Sequence, residues 1–183
     1  MKKLETILIG VDPIKLIGKI DLVISNISSN SKNIDTEYLF VAIDGNNCDG
    51  HEFIGNAIEQ GASTIVCEKL PDSLVKNTTY IKVKSSRKSY AKICCNFFGN
   101  PSKKLKLIGV TGTNGKTTTV SLAHDLILKM GYKSGLISTN TIKINNKNYA
   151  TDLTTPDSYD TNMYLRKMVD LDVNFCFMEV SSH

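Results

Sequence analysis

Gly109-Val110-Thr111-Gly112-Thr113-Asn114-Gly115-Lys116-Thr117-Thr118 decides the reading of this chain. An apolar run, Leu105 to Val110, leads into it and predicts a buried strand. A helical pattern leads out, with Val120, Ala123, Leu126, Ile127 and Met130 on one face and Gly131 as the stop. Strand, glycine loop and helix turn several backbone N–H groups and a positive helix end toward one anion. In such a loop Lys116 reaches the β- and γ-phosphates of a nucleotide, and the Thr117 hydroxyl serves Mg²⁺. The general P-loop spacing asks for glycine where Val110 stands; here Gly112 and Gly115 precede Lys116-Thr117. A plain glycine turn with a surface lysine is the competing reading. The agreement of lysine, paired hydroxyls, strand and helix counts against it.

Downstream, Leu107 to Thr111, Ser134 to Ser138 and Phe175 to Val180 predict strands of an open, mostly parallel α/β sheet, with the loop's helix as first crossover. Such sheets bind ligands beyond the carboxyl ends of their strands, where Gly112 to Lys116 and Glu179 to Ser182 both fall. Glu179 closes the apolar run Phe175-Cys176-Phe177-Met178. A carboxylate there is costly to bury unless paired or bound to metal, and a Mg²⁺ ion shared with Thr117 resolves the cost. A solvent-reaching acid, or one capping a following helix, is the alternative. Thr154 and Thr155 precede Pro156, which favours an extended Thr155. On the residues alone an ordinary turn is the preferred reading, opening a helix at Asp157 and Ser158 that carries Met163, Leu165 and Met168. Ser181 and Ser182 suit helix N-caps. The sheet stops at a strand end, His183, with its edge unpaired, so the chain is expected to be the front portion of a longer protein.

Upstream, residues 1–84 read as a small α/β unit. Asp21 to Ile27, Tyr38 to Ile43, Thr64 to Cys67 and Tyr80 to Val83 are the expected strands; His51 to Gln60 is an expected helix stopped by Gly61. Ser85 to Phe98 predicts a helix with Tyr90, Ile93, Cys94 and Phe97 as its apolar stripe, and Gly99-Asn100-Pro101-Ser102 ends it. Twenty-two basic residues, all lysine but Arg87 and Arg166, are dispersed, and a net charge of +4 is mild. That excludes a clustered basic face for nucleic acid. Five cysteines, an odd number with no C-x-x-C, indicate free thiols in a reducing compartment. No long apolar stretch suggests a signal peptide or a membrane span, so the expected location is the cytoplasm.

The loop Gly112-Thr113-Asn114-Gly115-Lys116-Thr117-Thr118 resembles that of the Mur ligases and of folylpolyglutamate synthetase. Three further segments resemble Mur ligases of the MurE type. Phe40-Val41-Ala42, Gly45 and Asp49-Gly50-His51-Glu52-Phe53-Ile54 are similar to their amino-terminal domain. Thr154-Thr155-Pro156-Asp157-Ser158 is similar to their substrate loop, and Met178-Glu179-Val180-Ser181-Ser182-His183 to their strand-end motif. By these motifs the chain is identified as a member of the Mur ligase family from about residue 20 onward. The D-G-H-x-F-I and M-E-V-S-S-H segments favour that branch over folylpolyglutamate synthetase.

The resemblance implies an ATP- and Mg²⁺-dependent ligase of peptidoglycan precursor synthesis. It would add diaminopimelate, or lysine, to UDP-N-acetylmuramoyl-L-alanyl-D-glutamate through an acyl phosphate. It implies a uridine-nucleotide domain over 1–84, a bridging helix and linker over 85–102, and part of a central ATP-binding domain over 103–183. The ATP cradle would be Gly112, Thr113, Asn114, Gly115, Lys116, Thr117 and Thr118. Lys116 and Glu179 would be catalytic, and Thr117 and Glu179 metal ligands. Ser31, Asn46, Asn47, Cys48, Thr154, Thr155 and Ser181 would contact the muramoyl substrate. The full-length protein is expected to be a monomer. A carbamoylated lysine and an amino-acid pocket of the family lie in segments these residues do not contain, so no complete ligation is expected of them alone. Two departures stand out: Asn30-Ser31-Lys32 replaces Asp-Ser-Arg, and Leu153 replaces an Asn common in members. A generic P-loop ATPase or phosphotransferase and a non-catalytic nucleotide-binding remnant are the rival readings.

Overall fold

The structure, a computed structural model, describes residues 1–45, 48–139, 141–150 and 157–180. It divides into two compact units, residues 1–97 and 98–183. Both are mixed α/β, each with a five-stranded sheet containing parallel pairs.

The first unit opens with β1 (Lys2–Lys3) and a single helical turn, α1 (Leu4–Ile7), whose Leu4 and Ile7 are fully buried. β2 (Lys15–Ile17), β3 (Val23–Ile24), β4 (Asn26–Ser28) and β5 (Tyr38–Val41) follow, then α2 (Ile54–Glu59), β6 (Ala62–Cys67), β7 (Thr79–Lys82) and α3 (Ser86–Phe97). The sheet order is β2-β7-β6-β5-β4; β4 to β7 run parallel, and β2 joins β7 antiparallel. Alternate residues of these strands share a core with α2: Phe40, Ala42, Ile54, Ala57, Ile65, Cys67 and Tyr80 pack together. Fully burying such a side chain stabilises the fold by about 1.5–3 kcal/mol before entropy is counted.

Two expectations are corrected here. Asp21 to Ile27 is not one strand: β3 pairs with β1, and the chain then changes partner so that β4 joins β5. The change occurs at Ser25, whose N–H donates to Glu37 O and whose hydroxyl donates to Thr36 O. The expected helix from His51 begins as a 3₁₀ turn, Gly50–Phe53, and only then becomes α2. The segment read as a bridge, 85–102, is divided between the units. α3 belongs to the first, where Asn96 Nδ2 donates to Ile7 O at 2.8 Å and Ile9 O at 2.7 Å. The 3₁₀ turn Pro101–Lys103 belongs to the second.

The second unit contains β8 (Lys106–Val110), α4 (Lys116–Lys129), β9 (Ser134–Ser138), β10 (Thr141–Ile144), β11 (Lys147–Ala150), α5 (Ser158–Asp170) and β12 (Phe175–Glu179). The order is β11-β10-β9-β12-β8. β8, β12 and β9 are the parallel strands read from the sequence. The antiparallel hairpin β10–β11 was not expected, and it makes the sheet mixed rather than mostly parallel. Its signal lies in Ile142-Lys143-Ile144 alternation followed by Asn145-Asn146, with Asn145 at φ 51°. Strand residues alternate between the two helices. Ile137, Cys176 and Met178 lie against Leu165 and Met168 of α5; Leu136, Phe177 and Phe175 lie against Val120, Ala123 and Ile127 of α4. Asp157 caps α5 by accepting from Asp160 N at 2.8 Å.

β8 is not buried. Among the described residues it pairs only with β12, and Leu107 and Ile108 are 38% and 36% exposed. The helix face also differs from expectation: Leu126 and Met130 are each 59% exposed, while His124 is buried with Val120. Nothing among the described residues lies beyond β8, and Met130 borders an open cleft there with Lys106 and Phe175.

Candidate active site

The glycine loop leaves the carboxyl end of β8 and enters α4 directly. Gly115 stands at the helix N-cap with φ 78°, and Gly112 has φ 148°, left-handed-side conformations that glycine adopts at least cost. Thr113, Asn114, Gly115, Thr117 and Thr118 are exposed, and Gly115 has no side chain with which to cap the first-turn N–H groups. Those N–H groups are the ones a helix leaves without intrahelical partners. Lys116 folds back over its own loop: Nζ donates to Gly112 O at 2.7 Å and Thr113 O at 3.3 Å. A cation and a helix N-terminus thus face the same concavity.

Glu179 ends β12, the strand between β8 and β9, and is only 1% exposed. Its register partner is Val110, two residues before Gly112, so its carboxylate sits at the sheet end from which the loop departs. The solvent-reaching alternative therefore fails. Thr139, immediately after β9, holds the acid: its N–H donates to Oε1 at 3.0 Å and its hydroxyl to Oε2 at 3.3 Å. Among the described residues no three His, Cys, Asp or Glu side chains could hold an ion by themselves. One carboxylate at this sheet end and the Thr117 hydroxyl of the glycine loop are donor types that could serve Mg²⁺, which commonly takes one or two carboxylates and completes its shell with phosphates and water.

The first unit presents separate candidates. Ser31 is buried and opens a 3₁₀ turn, Ser31–Asn33. Asn30 caps that turn: Oδ1 accepts from Lys32 N at 3.0 Å, while Ser28 Oγ accepts from Asn30 N. An aspartate's oxygen would accept in the same way, so replacing Asp by Asn keeps the local geometry and removes only the charge. Lys32 is exposed. Cys48 is exposed in a tight loop where Gly45 N donates to Cys48 O and Asp44 bridges Asp49. Asn46, Asn47, Thr154, Thr155 and Ser181 lie outside the described residues.

Two side-chain networks escaped the sequence reading. Thr139 is one, and no pattern in Ser138-Thr139-Asn140 marks it out. The other is Asp49–His51. Asp49 Oδ1 accepts from His51 N at 3.0 Å and lies 2.6 Å from His51 Nδ1. His51 Nε2 accepts from the N–H groups of Glu68 and Lys69 at 3.0 and 3.3 Å. Since Nε2 accepts, Nδ1 carries the proton and donates it to Asp49. The His51 backbone N–H, then its ring, hold the Asp49 carboxyl below its usual range. This pair ties the loop before it to the end of β6, and Glu68 in turn accepts from Ser86 N at the start of α3. Burial pushes the Cys67 thiol up to about 11 and the Cys176 thiol up to about 12, which removes both as nucleophiles.

Residues 23–97 match the family described as Mur ligase family, catalytic domain, and residues 110–183 match the Mur ligase middle domain. A UDP-N-acetylmuramoyl-L-alanyl-D-glutamate–2,6-diaminopimelate ligase of Phocaeicola vulgatus is 46% identical over 181 residues, 99% of this chain and 37% of the relative. The Clostridium tetani protein of the same description is 43% identical over 183 residues, 99% of this chain and 38% of the relative. A solved structure of a ligase so described superposes with a TM-score of 0.78 at 22% identity, covering 100% of this chain and 36% of the other. MurF ligase of Thermotoga maritima, solved in complex with ADP, gives 0.56 at 24% identity, over 86% of this chain and 32% of its own. The chain therefore spans somewhat over a third of the length of the curated relatives it matches. Among the described residues no helix is long and apolar enough to cross a membrane.

Proposed function

The chain belongs to the Mur ligase family, and on that premise we propose that it carries the ATP cradle and uridine-nucleotide contacts of a MurE-type ligase. The substrates in this reading are ATP, UDP-N-acetylmuramoyl-L-alanyl-D-glutamate and a free amino acid, diaminopimelate or lysine. The observation that carries it is the pairing of two features at one sheet end: the Gly112–Lys116 loop and the buried Glu179 in register with Val110. A cytoplasmic location belongs to the same reading, supported by five unbridged cysteines.

The chemistry passes the γ-phosphate of ATP to the substrate carboxylate; the amine then attacks the acyl phosphate and expels phosphate. The protein's task in the first step is to position the phosphates and neutralise their charge. Lys116 would exchange the carbonyls of Gly112 and Thr113 for phosphate oxygens, since an ammonium binds an anion more strongly than a neutral acceptor. First-turn N–H groups of α4 meet the same oxygens. Mg²⁺ held by Thr117 and Glu179 would supply further neutralisation of the phosphates. In the first unit Ser31 and the loop of Asn46, Asn47 and Cys48 would hold the uridine diphosphate, and Thr154, Thr155 and Ser181 the muramoyl peptide.

Calorimetric titration tests this. Mg-ATP should bind the wild type and bind Lys116→Ala at least tenfold more weakly, with the melting temperature unchanged. Titration with UDP-muramoyl-dipeptide separates the ligase from a generic P-loop ATPase, which would ignore it. Absence of both binding events in a folded wild type would refute the assignment.

A further inference from the structure

We propose that Thr139 is the positioning residue for Glu179, fixing the carboxylate plane that meets the metal–nucleotide complex. This deepens the reading of Glu179 as a metal ligand and rests on it. Three observations carry the proposal.

First, both carboxylate oxygens are engaged by one residue, Oε1 by the Thr139 N–H and Oε2 by its hydroxyl. A single contact leaves a carboxylate able to swivel about its last torsion. Two contacts from one rigid donor pair define its plane, and they occupy two of its roughly four acceptor positions.

Second, Thr139 is itself held. It follows β9 directly, at the end where Ser138 pairs with Thr141 of β10. The hairpin is anchored on the other flank by β11, through Ile142–Tyr149 and Ile144–Lys147 pairs. Ile142 and Ile144 are buried against α5. The Thr139 N–H is therefore carried at the end of a paired strand, and the hydroxyl is the part of the donor pair that substitution can remove.

Third, the acid is only 1% exposed, and a carboxylate so deep needs donors or a cation around it. Thr139 supplies donors from the β9 side, and strand alternation puts Glu179 on the same face of β12 as Phe177, which packs with Val120 near the start of α4. The fold thus gives Glu179 a supporting donor pair on its β9 flank and brings the start of α4 over the same face of β12. Metal sites depend on such supporting contacts to hold a ligand in its coordinating orientation.

The experiment measures ATP affinity by calorimetry with Mg²⁺ and with a chelator, and takes the ratio for each variant of the 183-residue chain. The ratio is insensitive to a smaller folded fraction, which lowers amplitude in both conditions. Wild type should show at least a tenfold gain from Mg²⁺, and Glu179→Ala almost none. Thr139→Val keeps the N–H and loses the hydroxyl; its gain should fall about fivefold or more below wild type. Thr139→Ser restores the hydroxyl and should lie within about twofold of wild type. Thr139→Ala is read in the same way should the valine variant not fold. Equal gains in wild type and Thr139→Val or Thr139→Ala, with Glu179→Ala losing its gain, would overturn the role of Thr139 and leave the metal reading intact. A serine variant as impaired as the valine one would also overturn it. No Mg²⁺ gain in the wild type would remove the metal reading and Thr139's role together.

Discussion

β6 and β8 look alike on paper and end differently. Ala62–Cys67 and Lys106–Val110 are both short, β-branched, apolar runs. β6 lies between β5 and β7 and its Ile65, Val66 and Cys67 are fully buried; among the described residues β8 has one neighbour, and Leu107 and Ile108 are more than a third exposed. The edges of the two sheets differ in the same sense. β2 and β4, which flank the first sheet, have three residues each, whereas β8 offers five. Short edges are a common way of keeping a sheet from pairing with other chains, and β8 lacks that protection. An apolar run thus specifies a strand; its burial depends on how many neighbours the topology gives it.

Substitutions can break this contrast. Ile65→Ala removes a side chain packed on all sides and should cost about 3 kcal/mol, as large-to-small core changes do. Ile108→Ala should cost under about 1 kcal/mol because much of that side chain is already in water. Urea denaturation of the two variants checks the difference; equal costs would mean that β8 is covered in solution.

A smaller effect should appear with pH in the second unit. His124, buried on α4 with Nδ1 2.8 Å from Ser134 Oγ, is held below the ordinary histidine value of 6.5, chiefly by burial and also by Lys143, with Asp125 opposing. Its folded form binds a proton less readily than its unfolded form. The associated stability is therefore complete above about pH 6.5 and is lost as pH falls through the lower folded value. Melting curves between pH 7.5 and 5 should show this loss, and His124→Gln should flatten it. The smallest effect belongs to Arg166 and Asp170, an i,i+4 pair on α5 with both partners accessible to solvent. Arg166→Ala should cost no more than about 0.5 kcal/mol, and less in high salt.

Much of the site was legible because its parts are local. Gly112, Gly115, Lys116 and Thr117 lie within six residues, and their geometry follows from a strand ending and a helix starting at either end of that stretch. Glu179 was legible as an acid at the end of an apolar run, a pattern that is costly unless something nearby answers the charge. What answers it was not. Thr139 precedes Glu179 by forty residues and meets it only because β9 and β12 are neighbours. His51 and Glu68 were similarly invisible as a pair, since the end of β6 returns to the loop before α2 only in the folded sheet. The helix face on α4 misled for a related reason: period alone groups Leu126 and Met130 with Val120, and only the packing of α4 against β9 and β12 separates them.

The amino-acid sequence by itself determined the family, the strand–loop–helix cradle and the three parallel strands, because each depends on residues close along the chain or on a hydrophobic period. The tertiary structure alone decided which strand lies at the edge, which of two faces of α4 is covered, and which donors hold the buried carboxylate. Those are choices of neighbour, and a neighbour is selected by sheet order and packing between segments far apart, information that no local run of residues contains.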